Sequence, residues 1–162
     1  MIKKILLALL VILIIMQFFH PPRNSMQGAM PNHISKQHTI SPEVKTILEK
    51  ACNDCHSNYS TYPWYSKVQP IDWWMTHHII EGKRELNFDE FTTYSLRKQY
   101  HKLEEVMKEV KDGEMPLNSY TWIHKDAVLT SAEKEALINW AGSIREEMKN
   151  KYPIDSLERR KK

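Results

Sequence analysis

Apolar and polar residues recur with a helical period along most of the chain, and the period-two alternation of a strand is nearly absent. Ser41 and Pro42 form a typical helix start, because serine caps free amide groups and proline tolerates the first helical position. The apolar residues that follow share one face of the predicted helix: Val44, Ile47, Leu48 and Ala51. This helix leads directly into Cys52.

Two further helices are predicted in the middle of the chain. Asp72 is a candidate cap for a short apolar helix over residues 73–80, which we expect to end before Gly82. Ser95 begins a longer helix, and Gly113 is placed to end it in the left-handed conformation. The buried stripe expected on this longer helix is Leu96, Tyr100, Leu103, Met107 and Val110.

The last predicted helix begins at Thr130-Ser131-Ala132-Glu133, which has the sequence of a capping box. Ala136, Leu137, Trp140, Ile144 and Met148 follow at helical spacing. Long connections without clear periodicity lie at residues 57–71 and 114–129, and loops of that length usually wrap a ligand or carry a function. The sequence therefore predicts an all-α domain with two functional loops.

The chain begins with two lysines and an almost unbroken apolar run from Ile5 to Phe19, a pattern typical of an export signal. A cleaved signal peptide, a retained anchor and a buried core helix all have to be considered. As a helix the run reaches about 22 Å, somewhat short of a hydrocarbon core of roughly 30 Å. Because no small-residue cleavage site follows, we expect a retained transmembrane helix at residues 1–19, with Lys3 and Lys4 in the cytoplasm.

The remaining segments follow from that assignment. Residues 20–40 are polar and proline-containing, which favours a flexible linker, and residues 41–150 form the predicted domain on the periplasmic side of the cytoplasmic membrane. His20, His33 and His38 are irregularly spaced, so solvated linker residues are a better interpretation than metal ligands.

Residues 151–162 are a basic tail, and the chain has a formal net charge of +3. Its last four residues are all basic: Arg159, Arg160, Lys161 and Lys162. We expect this tail to be solvated, with an acidic partner or anionic lipid as the lesser alternative. No dense basic stripe indicates nucleic-acid binding.

The chemical signal is Cys52-Asn53-Asp54-Cys55-His56, which contains both cysteines of the chain. Two thiols one helical turn apart can form thioethers to a haem, and the adjacent imidazole then reaches the iron. A redox dithiol would need a βαβ context, and a zinc site would need two further ligands. We therefore predict one covalent haem c, with Cys52 and Cys55 as thioether residues and His56 as proximal iron ligand.

The second axial ligand is less strongly indicated. Met115-Pro116 lies just after the long helix, and a methionine thioether favours ferrous iron. We expect Met115 to be the distal ligand, with His77 or His78 as alternatives and an open iron as a third possibility. The other methionines and histidines considered are better explained by packing or local hydrogen bonds: Met75, Met107, His101 and His124.

Aromatic residues and prolines crowd the segment after the motif. A porphyrin offers a broad apolar face that large rings can cover, although ordinary core packing also explains such residues. We expect Tyr62, Trp64, Pro70 and Trp73 to line a haem pocket. Pro63 or Pro70 is also expected to offer its carbonyl to the Nδ1 hydrogen of His56.

Several motifs together resemble the bacterial haem-binding domain family of small cytochrome c-like proteins. They are Gln17-Phe18-Phe19, Cys52-Asn53-Asp54-Cys55-His56-Ser57-Asn58, Tyr62-Pro63-Trp64-Tyr65, Pro70, Gly82-Lys83, Leu86-Asn87-Phe88, Gly113-Glu114-Met115-Pro116 and Ala127-Val128-Leu129. The resemblance implies haem c, a cytochrome c-like helical fold wrapped around it, and ligand roles at Cys52, Cys55, His56 and Met115.

The expected function is one-electron transfer between redox proteins, without an enzymatic reaction of its own. A single haem favours transfer over multi-haem peroxidase chemistry. The alternative is a haem-based module that senses a small ligand at an open or displaceable sixth position.

Overall fold

The computed structural model describes residues 1–158, so the four basic residues that end the predicted tail lie outside it. Within these residues the fold is helical, and the only extended pairing is an isolated bridge between Ser25 and Tyr59. The α-helices are α1 (Ile2–Met16), α2 (Pro42–Ala51), α3 (Asn53–His56), α4 (Ile71–Glu85), α5 (Leu96–Asp112), α6 (Asn118–Thr121), α7 (Ser131–Lys151) and α8 (Ile154–Leu157). Short 3-10 helices lie at Ile34–Lys36, Trp64–Lys67, Phe88–Thr93 and Lys125–Ala127.

The helix ends predicted at Ser41, Gly113 and Thr130 are confirmed. The predicted cap Asp72 is wrong, because α4 begins at Ile71 after Pro70 and Asp72 lies within its first turn. The Ser41 side chain accepts from the Val44 amide at the start of α2. Gly113 ends α5 with a φ of 78°, the left-handed conformation that a glycine adopts without a steric penalty. Thr130 and Glu133 form both halves of the capping box of α7.

Helix α4 is longer than predicted at both ends and continues through Gly82. Glycine usually weakens a helix interior, and the sequence therefore indicated an end there. In the structure a Cβ at Gly82 would lie 2.7 Å from the carbonyl oxygen of Cys55. The glycine thus lets α4 cross α3 at close range, and the packing gained outweighs its weak helix propensity.

The core lies where α5 packs on α7 and α8, and where α2 packs on α7. Its largest fully buried side chains include Phe91, Tyr100, Leu103, Leu137 and Met148. The predicted stripes of α2, α5 and α7 all contribute to this core. Removing such surfaces from water is the main favourable term for the fold.

The prediction of a transmembrane helix is wrong. None of the helices in residues 1–158 is both long enough and apolar enough to cross a membrane. Helix α1 has 15 residues, which corresponds to about 22 Å, against roughly 30 Å for a hydrocarbon core. The expected single-pass localisation and the membrane as a partner depended on that helix and are corrected with it.

The segment 20–40, predicted to be a flexible linker, lies against the rest of the fold. Ile34 is fully buried in the core, and Arg23 donates a 2.9 Å hydrogen bond to the Ser66 carbonyl. Asn24 donates to the Ser57 carbonyl at 3.0 Å, directly after the cysteine motif. The sequence favoured a linker because most of these residues are polar, and an isolated apolar residue such as Ile34 gives no helical or strand periodicity.

The tail prediction also changes in the part that the structure describes. Residues 151–158 include α8, which packs on α5 and buries Leu157. The folded unit therefore extends beyond the predicted limits of residues 41 and 150 at both ends.

Candidate functional site

The cysteine motif forms a tight helical turn between α2 and α4. The amides of Cys55 and His56 both donate to the Cys52 carbonyl, at 3.1 and 3.0 Å. Cys52 ends α2, and α3 then carries Cys55 and His56 around to the same side. The structure thus brings together the three residues that the sequence predicted to act together.

All three residues line a cleft between α2, α4, α5 and the loop after α5. Two neighbouring cavities of about 340 and 320 Å³ form this cleft. Both volumes are in the range of pockets for organic ligands and cofactors. The lining residues common to the two cavities are Ala51, Cys52, His56, Glu85 and Met115.

The ring of His56 is held by the backbone. Its Nδ1 donates a hydrogen bond of 2.9 Å to the Leu86 carbonyl, and the edge of Phe88 packs against it with ring centroids 6.4 Å apart. A carbonyl oxygen only accepts hydrogen bonds, so Nδ1 carries the hydrogen and the lone pair of the neutral ring is on Nε2. Burial lowers the pKa of His56, although the bond to Leu86 opposes the shift. The neutral ring with Nε2 available is the form that binds a metal.

The acceptor for Nδ1 differs from the prediction. Pro63 and Pro70 were expected to provide the carbonyl, but Leu86, directly after α4, provides it. The sequence carried no signal for this contact, because Leu86 is 30 residues from His56 and any residue can offer a backbone carbonyl.

The two cysteines are free thiols with pKa values above the ordinary range. Burial raises the pKa of Cys52 to about 12, and the neighbouring Cys55 adds to this shift. Burial likewise raises the pKa of Cys55 to about 11, with Asp54 as the second cause. A redox dithiol usually has lowered thiol pKa values, so these buried thiols do not favour that chemistry. Within residues 1–158 no group of three or more metal-binding side chains is found.

Met115 is placed as the sequence predicted, in the loop that follows Gly113. The amides of Glu114 and Met115 both bond the Glu109 carbonyl, at 3.0 and 3.2 Å, which turns the chain sharply after α5. Met115 lines both cavities, as His56 does. A thioether and an imidazole therefore share one cleft, contributed by segments about 60 residues apart.

The alternative ligands His77 and His78 line the first cavity but not the second. Nδ1 of His78 donates to the Trp74 carbonyl at 2.8 Å, so Nε2 of this ring also carries its lone pair, and the ring packs on Trp74. The other methionines and histidines considered line neither of these two cavities: Met75, Met107, His101 and His124.

The aromatic and proline residues predicted to line a haem pocket are placed elsewhere. Tyr62 accepts from the Asn24 amide and packs under the Arg23 guanidinium, while Trp64 is 79% exposed. Trp73 donates to the Phe19 carbonyl, and Pro70 precedes the first residue of α4 at the surface. Tyr62 and Trp73 attach the N-terminal segment, and none of the four predicted residues lines the two cavities, so this part of the prediction is not supported.

Tyr120 and Asp54 were missed by the sequence analysis. Tyr120 lines the first cavity, and its hydroxyl donates to the Asp54 carboxylate at 2.7 Å. Burial raises the pKa of Tyr120, and the bond to Asp54 raises it further. The two residues are 66 positions apart, and a tyrosine in a polar loop gives no sequence signal for such a contact.

The cleft has an acidic wall. Asp54, Glu81, Glu85, Glu105 and Glu109 line it, and Lys102 is the one lysine or arginine among the lining residues that the structure describes. Lys102 donates to Glu85 at 2.9 Å and to Glu105 at 2.6 Å. The hydrogen bond from Lys102 lowers the pKa of Glu85, so this carboxylate stays charged at neutral pH.

Comparison with known proteins adds one finding. A family model described as a haem-binding domain matches residues 11–143, which covers most of the chain. No curated protein and no solved structure gives a match.

Proposed function

The chain belongs to the haem-binding domain family, and from this premise we propose that it is a c-type cytochrome that transfers single electrons. Haem binding comes with the family, while covalent attachment and electron transfer are our proposal. The observation that carries it is the hydrogen bond from His56 Nδ1 to the Leu86 carbonyl, 2.9 Å long. This bond orients a neutral imidazole with its Nε2 lone pair available, beside two cysteines that line the same cleft.

The residues fit the attachment of one haem c. Cys52 and Cys55 are neutral thiols on one helical turn, and both line the first cavity. Cys52 and Cys55 would hold the porphyrin through thioether bonds. Each bond would form by addition of a thiol across one vinyl group, with the thiol hydrogen passing to the other vinyl carbon, so no external oxidant would be needed.

His56 and Met115 are the proposed axial ligands. Both line the two cavities, and one nitrogen donor with one thioether is a typical cytochrome c ligand pair. Bound haem supplies one-electron chemistry, because its iron exchanges between the ferric and ferrous states. The thioether of Met115 favours the ferrous state relative to a second imidazole, which raises the reduction potential.

The open, acidic wall of the cleft supports the role of an electron carrier. Glu85 is exposed and His56 is half-buried, and both line the first cavity, which therefore reaches from the proposed ligand to solvent. An exposed edge of the haem would be sufficient for electron exchange with a partner redox protein. The acidic wall favours a partner with a basic surface, because complementary charge steers encounter.

The test is the spectrum of the full chain, produced in cells that mature c-type cytochromes. We expect a Soret band that stays with the protein after acid–acetone extraction, and that becomes extractable when Cys52 and Cys55 are both changed to serine. The matched control is Ser57→Ala, which alters a neighbouring side chain outside the two cavities. A wild-type chain without a Soret band would refute haem binding at this site, and an extractable haem would refute the covalent link.

One observation favours a second candidate, the sensing of a small apolar ligand. A third cavity of about 80 Å³ adjoins the first, and both are lined by Cys55 and Tyr120. Trp74, Met75 and Ile79 make this third cavity largely apolar. Rapid and tight binding of carbon monoxide by the ferrous wild type would favour sensing, whereas a six-coordinate spectrum unaffected by the gas would favour the carrier.

A further inference from the structure

Three buried polar side chains lie close along the chain to His56 and Leu86, which are joined by the hydrogen bond from His56 Nδ1 to the Leu86 carbonyl. Asn58 is 4% exposed, Asn87 is 5% exposed and Asp89 is 7% exposed. Asn58 follows His56 by two residues, and Asn87 follows Leu86 directly. Buried amides and carboxylates are costly unless they are hydrogen-bonded, so their arrangement calls for a structural reason.

These three residues form a closed set of hydrogen bonds. Asn87 Nδ2 donates to Asn58 Oδ1 at 2.8 Å, and the Asn58 amide donates to Asp89 Oδ2 at 2.7 Å. The Asp89 amide donates to Asn87 Oδ1 at 3.0 Å. These hydrogen bonds join the segment that follows His56 to the segment that follows Leu86. They lie beside the 2.9 Å hydrogen bond between His56 and Leu86.

The outer ends of the set are also held. The Asn87 amide donates to the Tyr94 hydroxyl at 2.9 Å, and Asn58 Nδ2 donates to Glu90 Oε1 at 3.0 Å. Each of the two asparagines therefore uses its side-chain donor and its acceptor in a fixed direction. The peptide unit between Leu86 and Asn87 is held at its carbonyl by His56 and at its amide by Tyr94, and the set holds the Asn87 side chain, so the carbonyl has little freedom to rotate away from the imidazole.

We propose that Asn58 and Asn87 are positioning residues that hold the Leu86 carbonyl against Nδ1 of the iron-binding His56. The proposal rests on the proposed function, in which His56 is the axial ligand. A hydrogen bond from Nδ1 to a fixed carbonyl orients the ring and makes Nε2 a stronger donor, which stabilises ferric iron. Loosening the carbonyl weakens that bond, so the reduction potential rises.

The variants Asn58→Leu and Asn87→Leu remove one partner each at nearly constant volume, and the double variant removes both. The matched control is Gln69→Leu, which removes another buried amide, one that donates to the Phe19 carbonyl and lines neither cavity of the cleft. Asn87→Ser is a milder variant, because serine can still cap the 3-10 helix that follows but is too short to reach Asn58. All are made in the full chain with its haem attached.

Two measurements report whether the Leu86 carbonyl still accepts the hydrogen bond from His56. The first is the nuclear magnetic resonance signal of the His56 Nδ1 hydrogen, which reports the bond to Leu86 with or without haem. We expect slow exchange with solvent in the wild type and in Gln69→Leu, and fast exchange in the asparagine variants. The second is the reduction potential, for which we expect about a tenfold rise in the ferrous-to-ferric ratio at a fixed potential, or about 59 mV.

Because the two asparagines bond each other, we expect the double variant to shift the potential no further than either single variant. The proposal is overturned if the asparagine variants keep the Nδ1 signal and the wild-type potential. It is also overturned if Gln69→Leu gives the same shift, since the effect would then be general loosening. A wild-type chain without haem would instead overturn the proposed function, and the Nδ1 signal of the haem-free chain would still decide the role of the asparagines.

Discussion

At the residue scale, side chains of the same type have different surroundings and therefore different expected roles. Of the histidines, His56 and His78 each donate from Nδ1 to a backbone carbonyl, but His56 lines both cavities of the cleft and His78 lines only one of the two. Of the methionines, Met115 lines both cavities, whereas Met107 packs beside the core near Gly142. The same side chain thus becomes a ligand candidate or a packing residue through its surroundings.

We expect Met115→Ala to remove the charge-transfer band between methionine and ferric iron and to lower the reduction potential. The physical reason is that the thioether stabilises ferrous iron, and its replacement by water or imidazole does not. Met107→Ala is the matched control, because it removes the same side chain outside the cleft. An unchanged band in Met115→Ala would assign the distal position to another residue, with His77 and His78 to be changed next.

The lowered pKa of His33 leads us to expect that the stability of the fold depends on pH. Burial lowers the pKa of His33 below its usual 6.5, with Asp89 opposing and Lys36 adding to the shift. Its Nδ1 also accepts from the Ser35 amide at 3.1 Å, which a protonated ring cannot do at that nitrogen. The unfolded chain therefore binds more protons, and stability that is fully present above about pH 6.5 is lost as the pH falls.

The measurement is the free energy of unfolding in urea from pH 7.5 down to about pH 5, for the wild type and His33→Gln. We expect a smaller loss in the variant, with some slope remaining because burial also lowers the pKa of His56. Equal slopes in the two proteins would contradict the contribution of His33.

At the scale of elements, the crossing of α3 and α4 sets the shape of the cleft. Gly82 allows the approach, since a Cβ there would meet the Cys55 carbonyl oxygen at 2.7 Å. Helix α4 carries His77, Glu81 and Glu85 along one wall of the cleft, and α3 carries Cys55 along the adjoining wall. A small change in the distance between these helices therefore changes the space available to a cofactor.

Gly82→Ala is expected to destabilise the protein by about 1 to 3 kcal/mol, the usual effect of overpacking, although alanine is the better helix former by about 1 kcal/mol. Gly142→Ala in α7 is the matched control, because its Cβ would meet only the flexible end of Met107, at 3.6 Å. We expect the control to be neutral or slightly stabilising in thermal unfolding. Equal effects of the two substitutions would show that the close crossing of α3 and α4 does not limit stability.

At the scale of the whole molecule, the N-terminal segment belongs to the folded unit. Asp72 is fully buried in α4 and lies near two residues of that segment, His20 at 2.6 Å and Arg23 at 3.3 Å. Ile34 enters the core, and the Trp140 indole donates to the Thr39 carbonyl at 3.2 Å. These contacts hold residues 20–40 across the surfaces of α4 and α7.

We expect Ile34→Ala to destabilise the protein by about 2 to 5 kcal/mol, since it removes a fully buried aliphatic side chain from the core. Ile80→Ala, at a position that is 58% exposed, should change stability by less than about 0.5 kcal/mol. Urea denaturation of both variants checks the difference. A small effect of Ile34→Ala would mean that residues 20–40 are dispensable for the fold.

Elements with local signals were predicted well, and contacts between distant residues were not. Ser41, Gly113 and Thr130 marked helix ends correctly because capping depends on the nearest few residues. The predicted end of α4 was wrong because Gly82 does not end the helix. It allows a close contact with Cys55 of α3, which is 27 residues away in the sequence. The apolar character of residues 5–19 was evident, yet the inferred membrane crossing was wrong because the helix is too short.

The same division applies to the candidate site. The sequence by itself determined the motif of Cys52, Cys55 and His56, because one helical turn fixes their spacing, and it indicated Met115 from its place after α5. Only the tertiary structure decided that Leu86 holds the imidazole, that Tyr120 lies on Asp54, and that the aromatic residues attach the N-terminal segment. The physical reason is that these hydrogen bonds join residues that are far apart in the sequence and close in space. Every residue offers a backbone carbonyl, so the local sequence does not show which carbonyl will be used.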